Sequence, residues 1–152
     1  GVDLNWVRQR DFLGRFGFFD YSVLTGHLNV YYDSPFQDLL FQVHAGQYLA
    51  GDRGATFQVS RRFESGIRAG VFTTLTDVPF STFGEGSFDK GFFVSIPLEV
   101  FLVTRSRQGG AFGFRPLTKD GGQQVAVTPR LYDVTSQGNI DNIRRDWDKF
   151  LQ

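Results

Sequence analysis

Apolar and polar side chains alternate with a period of two through the central third of the chain. From position 41 to position 49 the odd positions are mainly apolar and the even positions polar or small, and the pattern returns at 55–63 and 67–75. This period is typical of a β-strand whose two faces meet different surroundings. Turn sequences separate the three runs, at Gly51–Gly54 and at Glu64–Gly66. The pattern therefore predicts two antiparallel hairpins in series.

Weaker segments extend this predicted sheet to about eight strands. These segments are Val2–Asp11, Gly26–Tyr32, Gly91–Val103, Ala111–Leu117 and Gln124–Leu131. Pro97 falls inside one of them and has no backbone N–H for the ladder, so we expect a bulge or a bend there. The segment Asp77–Lys90 is the longest connection after the two hairpins.

The length of the alternating runs indicates where such a sheet would reside. Each run is about ten residues long, which is enough for a tilted strand to cross a bilayer. The apolar stretches are all shorter than the roughly 18 residues that a membrane-spanning helix needs. The prediction is therefore an all-β, antiparallel up-and-down outer-membrane β-barrel, or an arc of a larger one.

The orientation of the faces follows from this prediction. The side chains expected to face lipid are Phe41, Val43, Phe57, Val59, Ile67, Ala69 and Val71. In the alternative, a soluble β-sandwich or a lipocalin-like barrel, the same residues would form a core. Alternation alone does not distinguish the two folds, because it does not say which face points inward.

The final residues change from a period of two to a helical spacing. The apolar positions there are Ile140, Ile143, Trp147, Phe150 and Leu151. With Asn139 as a possible N-cap, the spacing predicts a short C-terminal amphipathic helix over Asn139–Leu151. We expect it to pack against the mouth of the barrel or to dock a partner. The chain is thus divided into barrel strands at 1–135 and a helical tail at 136–152.

The polar face carries the candidate binding residues. The candidates are Gln42, His44, Tyr48, Gln58, Arg62 and Arg68. Sugars are bound by amide, hydroxyl and charged groups together with aromatic rings, and Phe72 shares this face. A simpler interpretation is that any barrel lumen is polar and that its side chains pair with one another for stability. A lumen that contacts a glycan is therefore a hypothesis.

Composition and charge exclude several other classes of function. Sixteen basic residues balance sixteen acidic ones, which gives no electrostatic footprint for nucleic acid. With no Cys, and with His27 and His44 outside any metal-binding spacing, we expect no metal and no cofactor. Because the chain begins at Gly1 and contains no Met, we expect it to be a processed product or a piece of a longer protein.

Two carboxylates in the Asp77–Lys90 segment suggest chemistry only weakly. Glu85 and Asp89 could form an acid–base pair for glycosidic bond cleavage, or ligands of a calcium-like site. Their spacing in a predicted loop gives no information about their distance in space. We therefore expect no catalytic residues and no enzyme activity.

Several short stretches resemble the YjbH/GfcD-type family of exopolysaccharide proteins, and they occur in the family's order. They are Gly17–Gly26, Gly46–Gly54, Arg61–Gly70, Thr76-Asp77-Val78, Phe83–Pro97, Pro116–Gly122 and Leu131–Thr135. Together they span the chain from Asp11 to Thr135. The combination is fairly specific to the family, whereas any single stretch would be a weak match.

The resemblance implies a C-terminal region of a large protein in the bacterial outer membrane that makes or exports an extracellular polysaccharide. The partners it implies are the exopolysaccharide, outer-membrane lipid, a periplasmic lipoprotein and a periplasmic β-grasp protein. The family provides no established catalytic residues to carry over. Two alternatives stay open, a structural outer-membrane scaffold for periplasmic partners and a soluble carbohydrate-binding protein.

Strand parity gives an expected topology for such a barrel. Short turns at Glu64–Gly66 and around Ser106–Gly110 fall at one end of the sheet, and the longer Asp77–Lys90 segment falls at the other. Outer-membrane barrels keep short turns in the periplasm and long loops outside. We therefore expect Asp77–Lys90 outside the cell and Asn139–Leu151 in the periplasm.

Overall fold

The computed structural model describes residues 1–10, 18–79, 88–101, 109–115, 121–126 and 130–135. In these ranges the chain forms one antiparallel sheet of seven strands, curved as a half-barrel, in which each strand pairs with the next in sequence. The strands are β1 (Val2–Arg10), β2 (Phe18–Asp33), β3 (Leu39–Gln47), β4 (Arg53–Arg62), β5 (Arg68–Thr76), β6 (Asp89–Pro97) and β7 (Gly109–Phe114). A 3-10 turn at Leu98–Val100 follows β6, and a short helix α1 spans Leu131–Thr135.

The two predicted hairpins are confirmed, and their turns use glycine where the backbone requires it. In the β3–β4 turn the Tyr48 N–H donates to the Asp52 carbonyl at 2.8 Å, and Gly51 has a φ of 84°. In the β4–β5 turn Gly66 has a φ of 85°. Such positive φ values cost glycine nothing, whereas a β-carbon would make them unfavourable. The turns fix the register that places Val59 opposite Val71.

The two faces of the sheet show the reverse of the burial that a water-soluble domain has. One face, here called the polar face, buries Thr25, His27, Asn29, Gln42, His44, Thr56, Ser60, Thr74 and Asp89, each at most 8% exposed. The other, here called the apolar face, exposes Leu4, Trp6, Leu24, Leu28, Val30, Phe41, Phe57, Val71, Phe92 and Phe112 by 39% or more. In the described residues the buried hydrophobic side chains are only Val23, Leu40 and Tyr48.

The seven apolar residues predicted to share one face therefore lie on the exposed side of the sheet, and their contact with lipid stays a prediction. Phe41, Phe57 and Val71 are exposed, and the other four of the predicted set are half-buried rather than packed in a core. A soluble sandwich would enclose these side chains between layers. In the part of the chain that the structure describes, nothing covers this face as a second layer would.

The prediction of an eighth strand at Gln124–Leu131 is wrong. Residues 122–126 have no regular secondary structure, and Leu131 begins α1. The polar side chains of this segment bond to the polar face of the sheet, so the segment lies on the sheet instead of extending its edge.

Three other boundaries differ from the sequence prediction. The strand expected over Gly91–Val103 ends at Pro97, where the chain enters the 3-10 turn, so the proline ends the ladder instead of bending it. Strand β2 is longer than the predicted Gly26–Tyr32. Strand β7 starts earlier than the predicted Ala111–Leu117 and ends at Phe114.

Two predicted features lie outside the described residues. The helix over Asn139–Leu151 is one, and most of the loop between β5 and β6, at positions 80–87, is the other. In the described part of the chain, no helix is both long and apolar enough to cross a membrane.

Strands β2 and β3 approach each other too closely at Gly46 to admit a side chain. A β-carbon built there would overlap the Gly26 carbonyl, a backbone group that cannot move aside. We expect Gly46→Ala to lower the free energy of unfolding of the full-length protein by about 1–3 kcal/mol. Urea-induced unfolding followed by Trp fluorescence measures this change.

Gly110→Ala on β7 is the matched control, because nothing lies within 4 Å of an added β-carbon there. Its effect should stay within about 0.5 kcal/mol. Equal stability of the two variants would contradict the close approach of β2 and β3.

Candidate functional site

Residues 121–126 and 130–135, here called the strap, cross the polar face from one end of the sheet to the other. At the end with the β3–β4 turn, the Gly122 N–H donates to Asp52 Oδ2 at 2.8 Å. At the opposite end, the Tyr132 hydroxyl donates to Asp33 Oδ2 at 2.7 Å, and its ring stacks on Tyr31 with centroids 5.1 Å apart. The strap thus makes the crossing that the predicted eighth strand would have made, but on the face of the sheet.

The middle of the strap bonds to His44 and to Thr56. Arg130 donates to His44 Nε2 at 3.0 Å and to Gln124 Oε1 at 2.8 Å, and Gln124 donates in turn to Thr56 Oγ1 at 3.3 Å. His44 Nδ1 lies 2.5 Å from Asn29 Oδ1. Because that amide oxygen can only accept, Nδ1 carries the proton and Nε2 is the acceptor for Arg130. The contacts therefore select one neutral tautomer of His44.

A layer of buried hydrogen bonds lies under the strap, within the sheet. Asn29 Nδ2 donates to Asp3 Oδ2 at 2.7 Å, which continues the network from His44 to β1. Tyr48, which is fully buried, shares a 2.8 Å hydrogen bond with Thr56, and Thr56 shares another of 2.8 Å with Thr74. Such bonds offset the cost of removing polar groups from water.

An ion pair joins Asp89, the first residue of β6, to Arg115, the residue that follows β7. Arg115 forms a two-point contact with the carboxylate of Asp89, in which Nε donates to Oδ1 at 2.9 Å and Nη2 donates to Oδ2. The Asp89 side chain is 0% exposed, whereas that of Arg115 is 44% exposed. Arg115 Nη2 also donates to the Gly122 carbonyl at 3.1 Å, and its guanidinium carbon lies 5.6 Å from the Phe72 ring centroid.

The tyrosine at the far end of the strap is held in its protonated form. Burial, and then the hydrogen bond to Asp33, raise the pKa of Tyr132 to about 12. Its hydroxyl is therefore a donor to the Asp33 carboxylate at any physiological pH.

A cavity of about 400 Å³ remains between the strap and the polar face. Its volume is in the range of small-molecule binding sites. The residues that line it are Gln42, His44, Thr56, Gln58, Arg68, Phe72, Thr74, Phe93, Arg115, Gly122, Gln124, Val125, Ala126 and Arg130.

Four of the six candidates predicted from sequence are brought together in this cavity. They are Gln42, His44, Gln58 and Arg68. Tyr48 lies on the same side but is fully buried, bonded to Thr56, and Arg62 is outside the lining. Four of the candidates thus line the cavity on the polar face, and the set of residues that a ligand could reach is smaller than predicted.

The sequence analysis missed Arg115 and Arg130. Arg115 could have been found, because in the sequence it has the opposite parity to the apolar residues Phe112 and Phe114. No comparable signal exists for Arg130, since its position depends on how the strap crosses the sheet. Among the residues that the structure describes, no three His, Asp or Glu side chains cluster to hold a metal ion.

Comparison with known proteins adds to this geometry. The sequence model of the YjbH family, described as "Exopolysaccharide biosynthesis protein YbjH", matches residues 1–137. The chain belongs to this family. The resemblance noted in the seven sequence stretches is thereby confirmed.

One curated relative shows how much of a family member the chain represents. The chain is 45% identical to "Uncharacterized lipoprotein YjbH" of Escherichia coli (strain K12) over 145 residues. The matched region is 93% of this chain and 21% of the relative. The chain thus spans about a fifth of the length of the curated relative it matches. No solved structure gives a significant match.

The Asp89–Arg115 pair should be energetically coupled. Arg115→Ala leaves the buried Asp89 carboxylate without its cation, and we expect a loss of about 2–3 kcal/mol in the free energy of unfolding. The double variant Asp89→Asn/Arg115→Ala buries no charge, so it should lose less than the sum of the two single variants. Urea-induced unfolding of the four full-length proteins gives the coupling energy, and additive losses would contradict the pairing.

Proposed function

We propose that this chain is an arc of an outer-membrane β-barrel in a longer exopolysaccharide protein. In this proposal the apolar face contacts lipid, and the polar face contacts the polysaccharide without any covalent chemistry. The observation that carries the proposal is the inverted burial of the sheet, in which polar side chains are enclosed and apolar ones are exposed.

The apolar face supports a lipid contact because of its extent. Exposed apolar residues continue from Leu4 and Trp6 on β1 to Phe112 and Phe114 on β7. Contiguous apolar surfaces of this kind mark contacts with proteins or membranes. A sheet that alternates along membrane-spanning strands is suited to lipid on one face and a wet lumen on the other.

The two edges of the sheet support an arc rather than a closed small barrel. Strand β1 pairs with β2 and strand β7 with β6, and in the described residues neither has a second partner. Because open edges invite further pairing, we propose that strands from the rest of the longer protein continue the sheet on both sides. That this arc is C-terminal in the longer protein stays a prediction.

The envelope location draws support from the relative, which is itself named as a lipoprotein. The proposed partners are the exopolysaccharide, outer-membrane lipid, a periplasmic lipoprotein and a periplasmic β-grasp protein. In the expected topology, the end of the sheet with the short β4–β5 turn is periplasmic. Helix α1 lies at that end, near Asp33, which agrees with a periplasmic position for the residues that follow it.

The cavity supports contact with a sugar. Its lining combines the side-chain amides of Gln42 and Gln58 with the rings of Phe72 and Phe93. Amides can donate to and accept from hydroxyl groups, and rings can cover the apolar faces of pyranoses.

A second candidate function, a structural scaffold, is favoured by the strap itself. The strap already satisfies polar groups on His44, Thr56 and Asp52, as a purely stabilising element would. In that case the cavity would be a packing gap, and filling it would leave export unchanged.

A charge on the apolar face tests the lipid contact. We expect Val71→Arg to destabilise the full-length protein in lipid by about 2–4 kcal/mol if the residue is near the bilayer midplane. Gln58→Arg, on the polar face of the adjacent strand, is the control and should cost less. Urea-induced unfolding in lipid vesicles measures both. Full stability of Val71→Arg, with a protein that stays dispersed without detergent, would overturn the membrane proposal.

Filling the cavity tests the glycan contact. Gln58→Trp should lower the amount of extracellular polysaccharide several-fold in cells that carry the full-length protein, with no change in the level of folded protein. Phe57→Trp, one residue away on the apolar face, should leave the polysaccharide at its normal level. Normal export with Gln58→Trp would favour the scaffold function.

A further inference from the structure

The described residues that line the cavity under the strap carry an excess of positive charge, whereas the chain as a whole is neutral. The formal net charge of the chain is zero. Among the described residues that line the cavity, three are arginines, Arg68, Arg115 and Arg130, and none is Asp or Glu. The cationic side chains of three separate parts of the fold therefore meet at one space.

The neighbouring carboxylates are used to hold the structure and do not form the cavity surface. Asp89 is fully buried behind Arg115, and Asp52 accepts from the Gly122 N–H of the strap. Asp33 accepts from Tyr132 at the end of the strap. These carboxylates thus hold the strap and Arg115 in place, while three arginines line the cavity.

Neighbouring side chains position the guanidinium groups. Arg68 Nε donates to Ser60 Oγ at 3.1 Å, and Arg130 is held by Gln124 and His44. Since less rotational freedom remains to be lost, a positioned guanidinium binds an anion more favourably than a mobile one.

We infer that the cavity binds an acidic sugar unit, a residue of the polysaccharide that carries a carboxylate or a phosphate. This inference rests on the proposed glycan contact and specifies the chemistry of that glycan. Guanidinium groups bind both kinds of anion through paired hydrogen bonds. The side-chain amides of Gln42 and Gln58 then bind the hydroxyl groups of the same unit, and the two phenylalanine rings of the lining pack against its apolar face.

The enclosed volume sets the size of the bound unit. A cavity of about 400 Å³ is near the lower end of small-ligand sites, so it takes a short segment of a polymer. The charged side chains among the described lining residues are all cationic, and a cleft lined by one sign of charge concentrates the field on its contents. Selectivity for an acidic unit over a neutral one follows from both properties.

The test compares two oligosaccharides of equal length on the full-length protein in detergent. Oligogalacturonate tetramer carries a carboxylate on each sugar, and its carboxyl-reduced form, α-1,4-galactotetraose, has the same linkage and no carboxylate. We expect the acidic tetramer to bind at least tenfold more tightly by calorimetry, and the difference to shrink as salt is raised. Competition by glucose 6-phosphate distinguishes a site that prefers phosphate from one that prefers carboxylate.

Matched arginine variants locate the binding. Arg68→Gln should weaken binding of the acidic tetramer about tenfold, a change of about 1.4 kcal/mol, and Arg68→Lys should retain part of the preference. Arg61→Gln removes the same charge from the exposed apolar side of β4, where the guanidinium lies over the Phe63 ring, and should leave binding unchanged.

Each outcome bears on the inference. Equal binding of the two tetramers would overturn the acidic preference and leave the glycan contact standing. Binding of neither tetramer would overturn the proposed glycan contact itself. Acidic binding that Arg68→Gln leaves unchanged would place the site elsewhere on the protein, and the salt dependence of the unmodified protein tests the inference even if Arg68→Gln does not fold.

Discussion

Polar groups that are removed from water must find hydrogen-bond partners, and the arrangement of this molecule depends on that requirement. Among the described residues the buried side chains are mainly polar, so burial itself would destabilise the fold without compensation. The sheet and the strap provide that compensation together, through a continuous series of contacts from Asp3 through Asn29, His44 and Arg130 to Gln124 and Thr56. The strap thus completes the polar face in the way that an apolar layer completes the core of a soluble domain.

Strand register decides which residues receive this compensation. Polar residues pair with polar residues across the β3–β4 ladder, and apolar residues pair with apolar ones. Gln42 is opposite Gln58, His44 is opposite Thr56, and Val43 is opposite Phe57. A slip of one residue would turn every polar side chain to the other face. The cost would be high on both faces, because His44 would lose Asn29 and Arg130 while apolar side chains entered a polar cavity. The alternation therefore specifies both the pairing of the strands and the position of the cavity.

The sequence predicted the features that depend on residues close together in the chain, and it failed for those that depend on residues far apart. The hairpins and the sidedness of Gln42, His44, Gln58 and Arg68 follow from alternation and from nearby turns, which are local properties. The position of the strap is not local, since Gly122 bonds to a residue 70 positions away and Tyr132 to one 99 positions away. An extended segment has the same pattern whether it joins the edge of a sheet or lies across it, so the eighth strand was predicted where the strap is found. For the same reason Arg130 could not be recognised as a cavity residue.

The strap and the sheet are attached by different kinds of bond, and this affects how the molecule comes apart. A central strand is joined to both neighbours by rows of backbone hydrogen bonds, so it cannot leave without breaking many of them together. The strap is attached mainly through side chains, near Asp52, His44 and Asp33, and through one backbone hydrogen bond from the Leu49 N–H to the Gln123 carbonyl. Because breaking them would leave the ladder intact, we expect the strap to open as a separate cooperative unit, with an opening free energy below that of global unfolding. Amide hydrogens of the strap can then exchange with solvent while those of the central strands stay protected.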